Sequence, residues 1–127
     1  MTAFLRYEQQ GPVVTLTMND PEKRNPLTGN SAVDEFVAAV DNIHRDKSVR
    51  VVVLTGAGPA FSAGGNLKAL QELASSDVSA LDIRDDYRAG IQHLPIALFN
   101  LEVPVIAAVN GPAVTSTSRL NNAIGKC

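Results

Sequence analysis

The sequence predicts one α/β domain built on a parallel sheet, and three observations support this fold class. The chain has 127 residues, enough for a single domain with its own core. Val51–Leu54 and Val105–Val109 are short apolar runs rich in β-branched residues, which is typical of parallel strands covered on both faces. Helical patterns separate these two runs, so the connection between them is expected to be a right-handed crossover.

A hairpin of two strands is predicted before these runs. Phe4–Gln9 alternates loosely between apolar and polar residues, and Val13–Met18 is rich in β-branched residues. Gly11 and Pro12 lie between the two segments and indicate a turn. The polar stretch Glu22–Asn30 that follows contains proline and glycine, so it is predicted to be a loop.

Three helices complete the predicted order of elements, β-β-α-β-α-α-β. At the start of the first, Ser31 and Asp34 make an approximate capping box. Asn66 stands where it can cap the second helix, and a third is expected from about residue 80 to residue 98. Pro95 should kink or interrupt this third helix, because proline lacks the N–H that a helix interior uses. The first helix is indicated by apolar residues at helical spacing, namely Val33, Phe36, Val37, Val40 and Ile43.

Composition and charge argue against several functions. Hydrophobic residues make up 45% of the chain and charged residues 19%, as in a globular rather than a disordered protein. The net charge is −2, and without a basic surplus we expect no nucleic-acid partner. Cys127 is the only cysteine, which excludes an internal disulfide and a cysteine-based metal cluster, and His44 and His93 leave little for a zinc site. No apolar run is long enough to span a bilayer and the N-terminus lacks the layout of a signal peptide, so we expect a cytoplasmic protein with no membrane partner and no metal.

The glycine-rich loop Thr55–Gly65 is the strongest functional signal, because bare backbone between a buried strand and a helix lets a ligand approach closely. Three chemistries compete for it. A dinucleotide-binding fingerprint begins at Gly56, but Phe61 stands where its third glycine belongs. A nucleophile elbow would use Ser62, but only His93 could serve as its base and no acid is placed to orient that histidine. The third is an oxyanion hole, in which the backbone N–H of a small residue at the loop–helix junction donates to a thioester oxygen.

Four segments, in the same order, resemble motifs of the crotonase family, the enoyl-CoA hydratases and isomerases. PAFSAGGNLK is similar to the family's AFSAG-x-D-L, and NDPEKRNPL is similar to its N-x-P-x-x-x-N-A-L. VRVVVLTGAG matches its central strand, and PVIAAVNGPAV matches P-V-I-A-A-V-N-G-x-A. The resemblance covers residues 1–114 and implies an incomplete crotonase-like ββα spiral, the N-terminal half of such a protein, followed by a divergent tail at 115–127.

The resemblance implies an oxyanion hole and also reveals departures from the family pattern. Gly65 stands where the family has its first oxyanion N–H, and Thr115 stands at the position of the second, where the family has glycine. The Cβ of Thr115 is expected to hinder the close approach that glycine allows. Ser118 occupies the place of a catalytic Glu of hydratase-type members, and Asn66 replaces an Asp. Either Asn or Asp can cap a helix, so Asn66 is interpreted as structural.

The resemblance also implies a coenzyme A site. Lys23 and Arg24 lie where the family's CoA-contacting loop runs, and adjacent cations suit a phosphate, although such a pair in a polar loop is often merely solvated. Ala63 is expected to meet the adenine through its backbone, while Gly64 with Gly65 could also be only a tight turn. The full set of CoA-binding positions implied by the resemblance is Lys23, Arg24, Pro26, Ala63, Gly64 and Leu67.

The resemblance therefore implies an enzyme of the enoyl-CoA hydratase/isomerase family that acts on an acyl-CoA thioester in fatty acid metabolism. Coenzyme A would enter as part of the substrate, with no separate cofactor, and the family's habit implies a homo-oligomer, a trimer or hexamer. The alternative is a truncated, catalytically inactive CoA-binding or interaction form. Asp85 and Asp86 are the only acids near the expected acyl side, and a solvated helix face accounts for both.

Overall fold

The computed structural model describes residues 3–114, apart from the side chains of Leu67, Ala69, Leu70 and Leu73. Four strands form one sheet in the order β1-β2-β3-β4. The first pair is antiparallel, while β2, β3 and β4 run parallel to one another. This confirms the mixed α/β fold and the parallel pairing of the two apolar runs. The strands are β1 (Leu5–Gln10), β2 (Val13–Met18), β3 (Val51–Gly56) and β4 (Val105–Ala107).

Helices connect the parallel strands. A 14-residue helix joins β2 to β3, and three shorter helices join β3 to β4. Such crossovers are what parallel neighbours in a sheet require. Within residues 3–114, none of the helices combines the length and the apolar character needed to cross a membrane. The helices are α1 (Ala32–Arg45), α2 (Leu67–Ala74), α3 (Ala80–Ala89) and α4 (His93–Phe99), with a 3-10 turn at Pro21–Lys23 before α1.

The core lies between one face of the sheet and α1. Alternate residues of β2 and β3 point to this face, and the apolar stripe of α1 covers them, with Phe36 only 1% exposed. Leu94 of α4 belongs to the same cluster, so α4 packs beside α1. The buried residues that the two central strands contribute are Val14, Leu16, Met18, Val52 and Leu54.

The capping box predicted at Ser31 and Asp34 is wrong. Ser31 occupies the N-cap position of α1, but its side chain makes no capping bond and its hydroxyl donates to Glu35 instead. The side-chain oxygen of Asn30 accepts the Ala32 N–H at 3.0 Å and satisfies that donor. The cap predicted at Asn66 is confirmed, because its Oδ1 accepts the Lys68 N–H at 3.0 Å.

The third predicted helix is broken, but not at Pro95. The break falls between Ala89 and His93, where Gly90 has φ −117° and ψ −107°. Pro95 is the third residue of α4. In a first helical turn the backbone N–H has no partner within the helix, so proline is tolerated there.

Among the described residues, the sheet is covered on one face only. Val51 and Val53 point away from α1 and are half-buried, and Ile106 of β4 is 56% exposed. The reason is that α1 and α4 both lie on the other face, and no described strand pairs with the outer side of β4. The sheet therefore presents apolar surface on the face away from α1.

We expect this surface to drive self-association, which is also what the implied homo-oligomer requires. Sedimentation across a concentration series should show a rising mean mass, and Ile106→Ser should reduce it. Leu81→Ser is the matched control, since Leu81 is 61% exposed on α3, outside the sheet. A monomer at every concentration, or equal effects of the two substitutions, would contradict this expectation.

Glu35 ties the start of the hairpin to α1. Its carboxylate accepts the N–H of Phe4 at 3.1 Å and that of Leu5 at 2.7 Å, besides the Ser31 hydroxyl. Partial burial raises the pKa of Glu35, but the bonds from Ser31, Leu5 and Phe4 outweigh it and hold the pKa below its usual value. The ionised carboxylate therefore stabilises the fold.

Replacing Glu35 with Gln should lower the free energy of unfolding by about 1 kcal/mol near neutral pH. A carboxyl group whose pKa is lowered by folding stabilises the folded protein at pH values above the group's unfolded-state pKa. This stabilisation is lost as the pH falls through the folded-state pKa. Urea unfolding from neutral pH down to about pH 3 should thus show the two proteins converging in acid. Asp34→Asn is the matched control, because it removes the same charge from an exposed position of α1. Identical pH profiles for the two variants would count against the role of Glu35.

Candidate functional site

Three loops meet at the carboxyl ends of the parallel strands. The loop after β2 covers residues 19–31, the loop after β3 covers 57–66, and 108–114 follow β4. In open sheets of parallel strands, ligands bind in the crevice outside this edge. The backbone of residues 61–66 lies between the other two loops and is bonded to both.

On one side, residues 61–66 pair with the loop after β2. The Ala63 N–H donates to the Arg24 carbonyl at 2.7 Å, and the Leu27 N–H donates to the Gly64 carbonyl at 2.8 Å. The Asn66 N–H donates to the Thr28 hydroxyl oxygen at 2.6 Å. These bonds fix the segment as far as Asn66, the residue before α2.

On the other side, the same segment pairs with the residues after β4. The Phe61 N–H donates to the Pro112 carbonyl at 3.0 Å, and the Val114 N–H donates to the Ser62 carbonyl at 2.9 Å. Ser62 and Ala113 form a parallel bridge. Residues 61–66 therefore form the middle of three extended segments.

Gly65 carries the unbonded amide of this segment. The N–H groups of Phe61, Ser62 and Ala63 donate to carbonyls of the flanking loops, that of Gly64 donates to the Ser62 hydroxyl at 3.0 Å, and that of Asn66 donates to Thr28. Within the described part of the chain, the Gly65 N–H has no acceptor. Gly65 lines a cavity of about 380 Å³ together with Lys23, Pro26, Ala63, Asn66 and Val114.

Gly64 differs from its neighbour because its backbone is left-handed. Its φ is +72°, and a Cβ built on it would lie 2.6 Å from the Val114 carbonyl oxygen. Only glycine fits this conformation and this distance without strain. Gly64 is thus required by the pairing of the loops, whereas Gly65 presents the free donor.

Lys23 and Arg24 line two adjacent cavities. Lys23 borders the cavity that contains Gly65, and Arg24 borders a second one of about 280 Å³. Ala63 and Val114 belong to the walls of both. Lys23 approaches Asp20 at 4.0 Å with its side chain 77% exposed, a pair too solvated to hold the ammonium group firmly.

The other predicted site residues have different positions. Pro26 is buried and forms a bridge with Gly64. The Ala63 N–H donates to Arg24, so the carbonyl oxygen is the backbone polar group that Ala63 can offer to a ligand. Leu67 is the first residue of α2, and Thr115 lies outside the described residues, as does Ser118.

The nucleophile elbow considered for Ser62 is not supported. The Ser62 hydroxyl is buried, donates to the Asn25 carbonyl at 2.8 Å and accepts the Gly64 N–H at 3.0 Å. His93, the base it would need, lies on α4 and borders a separate cavity beside α1. The serine therefore holds the loops together.

Sequence reasoning missed Asn25 and Asn110, two side chains that support this loop. Asn25 is completely buried with φ +54°, and Asn110 follows β4. Asparagine tolerates the left-handed region better than most residues, so its presence in the polar Asn25-Pro26 turn was a usable signal for Asn25. Their bonds are long-range in sequence, which composition and spacing do not reveal.

The cavities beside Gly65 contain no carboxylate among their described lining residues. Asp85 and Asp86 are exposed on α3, as expected for a solvated helix face. The arrangement can polarise a ligand oxygen through a backbone donor and attract anionic groups through Lys23 and Arg24.

These features define a class of protein: an α/β chain that presents a backbone donor at the carboxyl edge of a parallel sheet. A family model described as enoyl-CoA hydratase/isomerase matches residues 8–122. The chain belongs to the enoyl-CoA hydratase/isomerase family. A relative from Thermus thermophilus, whose name places it among the enoyl-CoA hydratases, is 38% identical over 114 residues, which is 88% of this chain and 43% of the relative.

Two further similarities extend over most of this chain. The 4-chlorobenzoyl coenzyme A dehalogenase-1 of Arthrobacter is 33% identical over 84% of this chain and 38% of its own length. The crystal structure of an enoyl-CoA hydratase/isomerase from Mycobacterium paratuberculosis superposes with a TM-score of 0.69 at 29% identity, over 89% of this chain and 43% of that one. The crotonase-like fold predicted from the sequence is confirmed. The chain spans about two fifths of the length of these proteins.

Proposed function

We propose that the site binds an acyl-CoA thioester, with the Gly65 N–H donating a hydrogen bond to the thioester carbonyl oxygen. The observation that carries this proposal is the unbonded Gly65 amide, set in a segment whose neighbouring amides are all used within the described chain. The same backbone is fixed on both sides by other loops. A donor held in this way needs no reorganisation when negative charge develops on the oxygen.

The chemistry that follows is stabilisation of a thioester enolate. Removing the α-proton of a thioester moves negative charge onto its carbonyl oxygen, where a preorganised N–H strengthens its bond. One such donor contributes roughly 3 kcal/mol to a transition state. Hydration or isomerisation of an enoyl thioester would also need groups that transfer protons.

The names of the relatives support thioester binding more than any single reaction. One relative carries hydratase in its name and another is a dehalogenase of a coenzyme A ester. What the two names share is the activated acyl group on coenzyme A. Enoyl-CoA hydratase or isomerase activity is the reaction we propose for this chain, with coenzyme A as part of the substrate.

A second candidate function is thioester binding without turnover. It is favoured by the absence of a carboxylate from the described lining of the two cavities. Loss of enoyl-CoA absorbance separates the two candidates. Hydration well above the buffer rate would support the enzyme, whereas saturable binding without hydration would support the second candidate. Absence of any binding at millimolar thioester would contradict both.

Removing Lys23 and Arg24 together, as Lys23→Ala with Arg24→Ala, should weaken CoA binding about five- to tenfold at low salt. Two exposed cations increase the affinity for phosphate groups by roughly this factor, and screening reduces the effect as the salt concentration rises. Calorimetric titration at two ionic strengths measures it. Arg45→Ala with Lys47→Ala is the matched control, because it removes two exposed charges near the end of α1. Equal losses in both double variants would show a nonspecific effect of net charge.

A further inference from the structure

We infer that Asn25 and Asn110 are positioning residues, which hold the loop after β3 from two different elements and thereby orient the Gly65 N–H. The inference rests on the proposed function for what that N–H binds. The bracing itself depends only on contacts within the chain. Asn25 lies in the loop after β2, and Asn110 lies in the residues after β4.

Asn25 satisfies several carbonyls that converge on one point. Its Nδ2 donates to the carbonyls of Ala57 and Ala60, both at 3.0 Å, and approaches that of Phe61 at 3.2 Å. Its Oδ1 accepts the Asp20 N–H at 2.9 Å. The residue is 0% exposed, so water cannot replace the amide. Without a donor at this point, the carbonyls of Ala57 and Phe61 would lose their hydrogen-bond partner, and that of Ala60 would keep only the Asn110 Nδ2 at 3.5 Å. Unpaired carbonyls cost free energy in a buried site.

Asn25 also connects directly to the segment that carries Gly65. Its own carbonyl accepts the Ser62 hydroxyl at 2.8 Å, and the Ser62 oxygen accepts the Gly64 N–H at 3.0 Å. A continuous chain of hydrogen bonds therefore runs from Asn25 to the residue before the proposed donor.

Asn110 holds the first part of the same loop. Its Oδ1 accepts the Gly56 N–H at 3.1 Å, and its Nδ2 donates to the Gly58 carbonyl at 2.9 Å. Backbone segments meet too closely for side chains at two points, one within the loop after β3 and one between that loop and the residues after β4. A Cβ on Gly56 would lie 2.4 Å from the Phe61 carbonyl oxygen, and one on Gly111 would lie 2.2 Å from that of Pro59. The two amides thus bond a loop that is packed backbone against backbone.

The test uses two variants that each remove donors while preserving the local backbone. Asn25→Gly keeps the left-handed φ of +54° and removes the amide. Asn110→Asp keeps the acceptor for Gly56 and removes the donor to Gly58. Asn42→Ala is the control, because Asn42 is exposed on α1 and far along the chain from both loops.

The measurement is residue-resolved amide hydrogen exchange in the free protein, followed by titration with a nonreactive acyl-CoA thioester. We expect exchange at Ala63, Gly64 and Asn66 to accelerate about tenfold or more in both variants, with exchange in α1 unchanged, and thioester affinity to fall by a similar factor.

Equal acceleration in α1 and in residues 63–66 would overturn the inference, since it would indicate a general loss of stability. Unchanged exchange at 63–66, or faster exchange with full affinity, would overturn it too. If Asn25→Gly does not fold, Asn110→Asp alone decides by the same criteria. Failure of the original chain to bind the thioester would instead defeat the proposed function and leave the exchange result standing.

Discussion

Gly64→Ala is expected to destabilise the protein by roughly 3 kcal/mol, a large part of the stability of a domain this size. Two costs combine. A side chain in the left-handed region costs about 1–2 kcal/mol, and the φ of Gly64 is +72°. In addition, the new Cβ would lie 2.6 Å from the Val114 carbonyl oxygen, a backbone atom held by the Ser62 pairing. Urea unfolding gives the change in free energy.

Gly11→Ala isolates the first of these costs. Gly11 has φ +57° in the hairpin turn, and a Cβ there would meet nothing within 4 Å. This variant should lose only about 1 kcal/mol. If the two alanine variants were equally stable, the close approach of Gly64 to Val114 would have no energetic role.

Gly65→Val should have the opposite pattern, reducing thioester affinity or turnover at least tenfold with little loss of stability. The glycines with positive φ in the described chain are Gly11, Gly29, Gly58 and Gly64, so Gly65 carries no left-handed requirement. Because Gly65 lines the cavity, we expect a β-branched side chain at this position to hinder the approach of a carbonyl to the N–H.

Thermal melts and ligand titration on the same samples test this prediction. An unchanged melting temperature with weakened binding would support the donor role of Gly65. A lower melting temperature with undiminished affinity in the folded fraction would show that Gly65 is only a turn residue. Gly64→Ala serves as the internal comparison, because its main effect should be on the melting temperature rather than on ligand affinity.

The strands and the order of elements could be predicted from the sequence, because they depend on local patterns. The apolar runs at Val51–Leu54 and Val105–Val109 specify strands directly, and the helical spacing of α1 is unambiguous. The boundary at Gly90 was missed because proline is the stronger breaker in general, although in this chain Pro95 lies in a first turn, where it costs little.

The distribution of roles within the site could not be predicted in the same way. Gly64 and Gly65 are the same residue type, and their different roles depend on the backbone angle of Gly64 and on its close approach to Val114. The buried amide of Asn25 meets carbonyls more than thirty positions away. Likewise, the exposure of Ile106 depends on which face α1 and α4 occupy, which no local pattern contains. Thr115 lies outside the described residues, so its proposed place in the oxyanion hole stays a prediction.

The most direct test of the Gly65 donor compares two CoA ligands that differ only at the carbonyl group. The amide proton of Gly65 is followed by NMR during titration with a saturated acyl-CoA thioester and with the matching thioether, in which a CH2 group replaces the carbonyl. If Gly65 is the donor, we expect a saturable downfield shift of its amide proton with the thioester alone, because the thioether has no carbonyl oxygen to accept this hydrogen bond. Saturable thioester binding with no shift at Gly65, or equal shifts with both ligands, would contradict it.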